Sequence, residues 1–478
     1  MSLVDDIFII LPEITLVSLT CIVLLVDVIW KDITLTCCVA VLALLITLGQ
    51  LVAFFPKEIN LVFFDTFVSD PVGSYLKIFV CLSSIVALVY AYHGYQTSET
   101  KSSEYFLLAL FAVIGMLFLI SASNLLTVYL GLELLSLSLY AMVAMDKNSN
   151  LAAEAAMKYF VLGALASGVL LFGMSMLYGA SGSLSLESIG VNTSVGDGKD
   201  LVQIFGLVFI LVAIGFKLGV VPFHMWVPDV YQGARTPVTL FLSAAPKIAA
   251  FAMAFRLLAK GLAEFSNDWT LMIIVLAVSS LALGNIVAIA QVNYKRMLAY
   301  STIAHMGFLV IGLVSASSGG YAASIFYVSV YSLMGMAAFA ALILLPNSEA
   351  ASIEQFKGLA KSNPLFSFFI LILMFSMAGI PPFAGFWAKW FVLKEVIAAG
   401  YLWLAVYAVF CSLIGAFYYL RIIKFMYFDE PKNNDFNTLE NSAASILFNL
   451  NCLSILMLGL FPGLLMAFCT KMILMSGF

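Results

Sequence analysis

Charged residues are scarce in this sequence. The 478-residue chain contains 22 Lys and Arg and 26 Asp and Glu, about 10% of its residues, whereas hydrophobic residues make up 63%. A soluble domain carries roughly 25% charged residues, so this composition cannot cover a soluble surface. The basic patch with aromatic residues that nucleic-acid binding needs is also missing. The expected environment is therefore a lipid bilayer, and nucleic acid is not an expected partner.

Metal and nucleotide motifs are missing as well. The seven cysteines form no C-x-x-C pair, and the three histidines lie far apart in the sequence. This argues against a zinc or iron–sulfur site on the chain. No GxGxxG or GxxxxGK[ST] segment points to a nucleotide. The first apolar run follows the acidic start "MSLVDD", which predicts a retained span and not a cleaved signal peptide.

What the sequence does contain is long apolar runs, which predict an all-α polytopic membrane protein with about fourteen transmembrane helices. The runs are continuous, whereas the strands of a β-barrel would alternate in polarity. The fourth and fifth spans are separated only by "SASN". The predicted spans lie at residues 8–29, 33–54, 73–93, 105–122, 126–145, 155–179, 202–222, 237–259, 270–290, 298–315, 320–345, 365–398, 401–427 and 443–469.

The distribution of basic residues predicts the orientation. An even number of spans places both termini on one side, and Lys and Arg concentrate on the cytoplasmic side. With the termini outside, eleven basic residues fall at inner loops or span ends, five fall on the outer side and six fall within spans. The five outer residues are Lys57, Lys199, Arg256, Lys260 and Lys471. We therefore expect both termini on the outer side of the membrane.

Six lysines lie inside predicted spans, and a lysine at a span centre costs about 2.5–3.5 kcal/mol. Lys77 and Lys394 lie near span ends, where snorkelling to the membrane surface is the simpler interpretation. Lys158 follows Glu154 by one helical turn, so an i,i+4 ion pair explains it. It is also placed to meet Glu133 on the preceding span, and both interpretations stay open.

The other three lysines lie close to prolines that interrupt their spans. Lys217 precedes Pro222, Lys247 directly follows Pro246, and Lys389 follows Pro382. A broken helix inside the membrane leaves backbone groups that need protein, polar side chains or water. A lysine next to such a break therefore predicts a hydrated cavity. The segments "VVPFHMW" and "IPPFAGFW" are similar to each other, as in transporters built from inverted repeats.

Two further titratable residues lie inside spans. Glu133 stands in "LTVYLGLELLSLSLYAMVAM" and needs either a nearby cation or its own proton to stay there. A purely structural carboxylate is the alternative. His305, in "LAYSTIAHMGFLV", fits either a hydrogen-bonded packing role or a proton relay between Lys247 and Lys389.

Three segments carry a family resemblance: "GFKLGVVPFHMWVPDVYQGARTPV", "QVNYKRMLAYSTIAHMGFLV" and "AGIPPFAGFWAKWFVLKEV". They resemble the antiporter-like membrane subunits of the proton-pumping NADH:quinone oxidoreductase, respiratory complex I, over nearly the whole chain. The N-type branch, which includes mitochondrial NADH dehydrogenase subunit 2, fits best. The chain ends soon after its fourteenth span, and its broken twelfth span carries Lys389 where the M-type branch resembles this pattern with a glutamate.

The resemblance implies two inverted five-helix repeats, at 105–260 and 268–428, with broken helices at spans seven and twelve. Residues 1–104 would supply three preceding helices and 440–478 the last one. It implies a proton path along the membrane midplane, with Glu133 as the partner of a channel lysine. The path residues are Glu133, Lys158, Lys217, Lys247, His305 and Lys389.

The resemblance also implies a division of labour within the complex. Other membrane-arm subunits would be the partners of this chain, which would carry no cofactor of its own. NADH, flavin, the iron–sulfur clusters and the quinone site would belong to other subunits. Three alternatives stay open: a subunit of a multi-subunit cation/proton antiporter, which shares this core; a secondary transporter that works alone; and a structural spacer in a membrane assembly.

Overall fold

The structure is a computed structural model that describes residues 3–96, 102–192, 201–345, 351–430 and 442–478. Helices make up nearly all of these residues. The helices before the first predicted repeat are α1 (Leu3–Ile9), α2 (Leu11–Trp30), α3 (Ile33–Ala53) and α4 (Pro71–Gln96). A small hairpin between α3 and α4, which the sequence did not predict, pairs β1 (Asn60–Val62) with β2 (Phe67–Ser69) in antiparallel register.

The remaining helices follow in two stretches and a C-terminal pair. The first stretch contains α5 (Glu104–Ile120), α6 (Leu125–Val143), α7 (Asn150–Ser181), α8 (Leu186–Asn192), α9 (Leu201–Leu218), α10 (Trp226–Gly233), α11 (Thr236–Ser243) and α12 (Ala245–Arg256). The second contains α13 (Ser266–Ile289), α14 (Tyr294–Val314), α15 (Ser318–Ile343), α16 (Leu359–Ser362), α17 (Pro364–Ala378), α18 (Ala384–Ala398) and α19 (Leu402–Phe428). The pair is α20 (Ala443–Leu460) and α21 (Pro462–Met475).

The predicted polytopic helical fold is confirmed. Twelve helical segments in the described ranges are long and apolar enough to cross a membrane. The shorter α5 and the pair α17–α18 supply two further crossings, which gives the fourteen that the sequence predicts. The division at "SASN" is also confirmed. There Asn124 caps α6, because its extended backbone lets the side chain accept a hydrogen bond from the Leu126 amide.

Both predicted helix breaks are present. α9 ends at Leu218 and α17 ends at Ala378. The residue after each helix is a glycine with positive φ, Gly219 at 80° and Gly379 at 85°. This left-handed conformation suits glycine, which has no Cβ to collide with the carbonyl. A proline follows three residues later in each case, at Pro222 and Pro382, and prevents the helix from resuming at once. The seventh and twelfth spans therefore each consist of two short helices joined by a non-helical segment.

The two halves of the chain repeat one construction. α6 and α14 each begin after an asparagine that caps the helix, Asn124 and Asn293. The backbone of each asparagine forms an isolated antiparallel bridge, with Ser185 and Ser352 respectively. Each serine lies in the loop that follows the next span along the chain, after α7 and α15 respectively. Since α6 and α14 are five spans apart, they cross the membrane in opposite directions, as inverted repeats require.

The core lies between the two repeats. Every residue of α11 and α12 is buried, and so are all but a few residues of α14 and α15. The peripheral α2 and α20 leave most of their apolar residues at least partly exposed, as expected for surfaces that face lipid or neighbouring subunits. The polar side chains of α12 and α14 consequently lie inside protein and not in the membrane surface.

Candidate functional site: buried lysines at two helix breaks

Lys217 lies in the last turn of α9 and reaches towards α6. Its Nζ donates a hydrogen bond of 2.7 Å to Ser136 Oγ and lies 5.9 Å from the centre of the Tyr140 ring. Glu133 lies one turn before Ser136 on the same face of α6. Among the described residues no ion pair within 4 Å joins Glu133 to Lys217, and the buried Oε1 of Glu133 lacks a hydrogen-bond partner. The structure thus places Glu133 and Lys217 in one site, but the two side chains do not form an ion pair.

Lys247 is buried in α12 at the C-terminal end of α9. Its Nζ donates hydrogen bonds to the backbone carbonyls of Lys217 and Leu218, at 3.3 and 2.8 Å. The same ammonium lies 5.0 Å from the centre of the Trp226 ring, within the range of a cation–π interaction. These carbonyls are the ones that the break at Gly219 leaves without helical partners. A cation at a helix C-terminus is favourable because the last carbonyls carry partial negative charge.

Lys389 has the same relationship to the second break. It projects from α18, and its Nζ donates hydrogen bonds to the carbonyls of Met377 and Ala378, at 3.4 and 3.0 Å. A third hydrogen bond of 2.8 Å goes to Ser412 Oγ on α19. In each broken helix, the last two residues before the glycine therefore have backbone carbonyls that accept hydrogen bonds from a lysine ammonium.

His305 lies on α14, close to the second break. Its Nδ1 lies 2.7 Å from the Tyr327 hydroxyl and its Nε2 lies 3.2 Å from the Tyr419 hydroxyl. A small cavity is lined by His305, Lys389, Ser412 and Tyr419, among others. The structure therefore places His305 beside Lys389. No direct hydrogen bond joins it to Lys247 within the described chain, so a relay between the two lysines would need water.

Lys158 lies apart from Glu133. Its Nζ forms ion pairs with Glu154, at 2.7 Å, and with Asp229 on α10, at 2.8 Å. Asp229 also pairs with Arg296 at the start of α14, at 2.7 Å. The interpretation of Lys158 as an i,i+4 partner of Glu154 describes its geometry, and the described structure contains no ion pair between Lys158 and Glu133.

Three residues of the site, Asp229, Ser136 and Ser412, were not predicted from the sequence. Asp229 stands in the quoted segment around the first break, and a lone carboxylate in a broken span was a signal that could have identified it. The two serines gave no signal, because serine is common in membrane helices, where it bonds to its own backbone. Only the fold shows which serine faces a lysine.

The snorkelling interpretation of Lys77 is wrong. Its side chain is 4% exposed and forms an ion pair of 2.5 Å with Glu13, which is 1% exposed. α3 and α5 each pack against both α2 and α4, and the two side chains meet inside this group of helices. A buried cation needs such a partner. Lys394, by contrast, is exposed as predicted.

A second buried ion pair joins Asp70, just before α4, to Arg256 at the end of α12. Two hydrogen bonds of 2.8 and 2.5 Å connect the guanidinium to the carboxylate. Burial raises the pKa of Asp70, but the charge and hydrogen bonds of Arg256 outweigh it and hold that pKa below its ordinary value of 3.8. The pair ties the β1–β2 hairpin region to the end of the eighth span. Arg256 thus serves as a buried tether and not as a loop cation.

A search for metal ligands among the described residues finds no group of three or more His, Cys, Asp or Glu side chains that could hold an ion. The polar groups of the site are instead ammonium, carboxylate, hydroxyl and imidazole groups, together with free carbonyls. This set can hold and exchange protons.

Comparison with known proteins agrees with this chemistry. The family described as NADH:quinone oxidoreductase/Mrp antiporter, transmembrane, matches residues 122–415. A relative from Nitrosomonas europaea named NADH-quinone oxidoreductase subunit N is 48% identical over 468 residues, which cover 95% of both chains. A chain of respiratory complex I from Thermus thermophilus is 31% identical, with a TM-score of 0.82, and covers 95% of this chain and 98% of its own.

The fold is shared more widely than the sequence. A chain of the Mrp complex from Dietzia superposes with a TM-score of 0.85, over 99% of this chain and 97% of its own, at 19% identity. That likeness shows the fold alone. At the family level, the chain belongs to the antiporter-like membrane subunits of NADH:quinone oxidoreductase. Its relatives at 44–52% identity carry the name of subunit N of that complex, in agreement with the N-type features of the sequence.

Proposed function

We propose that this chain translocates protons across the bacterial inner membrane as a membrane-arm subunit of NADH:quinone oxidoreductase, along a path formed by Glu133, Lys158, Lys217, Lys247, His305 and Lys389. The observation that carries the proposal is that Lys247 and Lys389 cap equivalent carbonyls at the two helix breaks. One arrangement of a titratable cation thus occurs once in each inverted repeat.

Lysines inside a membrane span are energetically costly. Each would cost about 2.5–3.5 kcal/mol at the centre of a span, and the free carbonyls at each break offset part of that cost. A lysine in such a place can hold a proton against the helix end and can also release it, because lysine deprotonates far more readily than arginine. If these positions only needed to stabilise the fold, apolar side chains would serve, because well-packed apolar residues often stabilise a protein as much as a buried ion pair does.

Two groups of residues follow from the geometry. Glu133, Lys217 and Lys247 form the group of the first repeat, in which Lys247 bonds to the backbone carbonyl of Lys217. His305 and Lys389 form the group of the second repeat. Lys158 joins the first repeat to α14 through Asp229 and Arg296, and we assign it to the connection between a membrane surface and the path.

The repeats, the orientation and the division of labour belong to the same proposal. The repeats comprise residues 105–260 and 268–428, flanked by 1–104 and 440–478. The excess of basic residues at inner loops supports periplasmic termini. NADH oxidation by flavin and iron–sulfur clusters, and quinone reduction, take place in other subunits. Energy from that reaction reaches this chain through contacts with neighbouring membrane-arm subunits.

Substitution of the capping lysines tests the proposal. Lys247→Ala and Lys389→Ala should each abolish most proton uptake by membrane vesicles that oxidise NADH, in complexes that assemble to normal amounts. Lys394→Ala is the control, because Lys394 is an exposed lysine on the same helix as Lys389. Normal proton uptake in both capping variants would contradict the proposal and would favour a structural role for the lysines.

The cation/proton antiporter alternative is tested separately. Purification of the assembly that contains this chain should recover NADH oxidation with quinone as the acceptor. Recovery of an assembly without that activity, but with sodium/proton exchange, would favour the antiporter.

A further inference from the structure

We infer that Ser136 is a positioning residue that holds the Lys217 ammonium apart from Glu133, so that Lys217 has two resting positions on α6. This inference rests on the proposed proton path. Ser136 is 1% exposed, and its hydroxyl donates to the Leu132 carbonyl one turn earlier. The hydroxyl hydrogen is therefore committed, and a free lone pair accepts the hydrogen bond from Lys217 Nζ.

The second position is offered by Glu133. Its Oε1 is buried without a hydrogen-bond partner, although an ammonium rests one helical turn away. Residues three apart on a helix have Cβ atoms about 5–6 Å apart. The flexible four-carbon stem of lysine covers such a distance by a change of rotamer. The unpaired carboxylate oxygen therefore marks a site that the Lys217 side chain can reach and does not occupy.

The two positions differ in what they select. A carboxylate attracts the charged ammonium and offers little to a neutral amine. A serine hydroxyl accepts from an ammonium and can also donate to a neutral amine by turning away from the Leu132 carbonyl. Ser136 therefore suits Lys217 in either protonation state, whereas Glu133 suits only the charged one. The serine gives the lysine a place to rest without the full attraction of the carboxylate.

The second repeat contains a comparable contact. The Lys389 ammonium donates to Ser412 Oγ at 2.8 Å, and no carboxylate pairs with it among the described residues. In both repeats, a serine hydroxyl from a neighbouring span thus holds a lysine at a helix break. The contact with Ser136 is the better one to test, because a competing carboxylate lies on the same helix face.

Ser138 provides a matched control for Ser136. It lies on the same helix, is 5% exposed and also donates to a carbonyl four residues earlier, but it does not contact Lys217. We expect Ser136→Ala to lower the rate of NADH-driven proton uptake about tenfold, the scale of one hydrogen bond to a charged group. Ser138→Ala should leave the rate unchanged. Ser136→Thr, which keeps the hydroxyl, should restore most of it, and Ser136→Cys should resemble Ser136→Ala.

Competition between Ser136 and Glu133 for the Lys217 ammonium predicts the behaviour of a double variant. If Ser136 holds the ammonium away from Glu133, Glu133→Gln should partly restore proton uptake to the Ser136→Ala variant. The inference is overturned if the effects of the two substitutions simply multiply, or if Ser136→Ala behaves like Ser138→Ala. Its failure is distinguishable from failure of the proposed path, because normal pumping by Lys217→Ala in an assembled complex would contradict the path itself, whatever Ser136→Ala does.

Discussion

Replacement of Lys217 by arginine separates a fixed charge from a proton carrier. In the structure the Lys217 ammonium is held by Ser136 Oγ at 2.7 Å, with the rings of Phe216 and Tyr140 at 5.7 and 5.9 Å. A hydrogen bond of this kind to a charged group contributes about 1.5–3 kcal/mol. Attraction to Glu133 adds to this, since two opposite charges ~7 Å apart at an effective dielectric of ~20 attract by roughly 2.4 kcal/mol. A guanidinium keeps its charge and can keep both interactions.

Proton release is what arginine cannot supply. With an ordinary pKa above about 12, release at pH 7 costs at least ~7 kcal/mol, because each unit corresponds to about 1.36 kcal/mol. This exceeds the ~2.3 kcal/mol that one charge stores across 100 mV. Electron transfer that is coupled to the path should therefore stall. We expect Lys217→Arg to lower quinone-linked NADH oxidation and proton uptake almost as much as Lys217→Ala does.

The measurement uses membrane vesicles from the wild type and both variants, with the assembled complex quantified in each. Proton uptake and NADH oxidation are recorded in parallel, so that a leak is distinguished from a stall. Activity of Lys217→Arg near that of the wild type would refute the proton-carrier role, since the charge alone would then be enough. A deficit in both variants that is explained by missing complex would leave only a structural role.

Four other predictions follow from particular contacts. Glu133→Gln should lower proton uptake while the complex persists, and loss of assembly would instead indicate a structural carboxylate. Gly379→Ala should impair pumping more than Gly400→Ala; both glycines have positive φ, but a Cβ at Gly379 would lie 2.9 Å from Lys389 Nζ, whereas a Cβ at Gly400 meets nothing within 4 Å. In a cysteine-free background, a membrane-impermeant thiol reagent applied to intact cells should label a cysteine placed in the segment 180–201 and miss one placed in 346–363. The reverse labelling pattern would contradict the predicted topology. Since the folded pKa of Asp70 is depressed, its ion pair with Arg256 contributes stability above pH 3.8 and loses it as the pH falls further; thermal unfolding in detergent should show this loss in the wild type and less of it in Asp70→Asn.

The spans and the breaks could be predicted from sequence because each depends on local chemistry. Apolar runs of about twenty residues define membrane helices wherever they occur. A glycine three residues before a proline defines the breaks at Gly219 and Gly379. Even the short division between α5 and α6 has a local cause, the Asn124 cap. Such signals need no knowledge of the other helices.

The partners of the lysines could not be predicted in this way. Lys77 meets Glu13 because α3 and α5 hold α2 and α4 in one group of helices, and nothing within either span indicates that contact. Lys158, on α7, pairs with Asp229 on α10, which is 71 residues further along the chain. Ser136 and Ser138 are alike in sequence context, yet only Ser136 faces Lys217. Two residues that are two positions apart lie on different faces of a helix. Which side chain each face contacts is determined by the tertiary fold.

The capping of the two breaks has a consequence for how this site can vary. The atoms that receive the ammonium of Lys247 are main-chain oxygens of Lys217 and Leu218, and those that receive Lys389 belong to Met377 and Ala378. Any amino acid at those four positions would present the same oxygens, provided that the helix still stops there. The positions of these acceptor oxygens are therefore set by Gly219 and Gly379, whose own atoms do not bind the ammonium groups. A search for these two capped helix ends in other chains should therefore look for the glycine that ends each helix and for a lysine that reaches the freed carbonyls. The side chain of Lys217 acts separately, through its contact with Ser136.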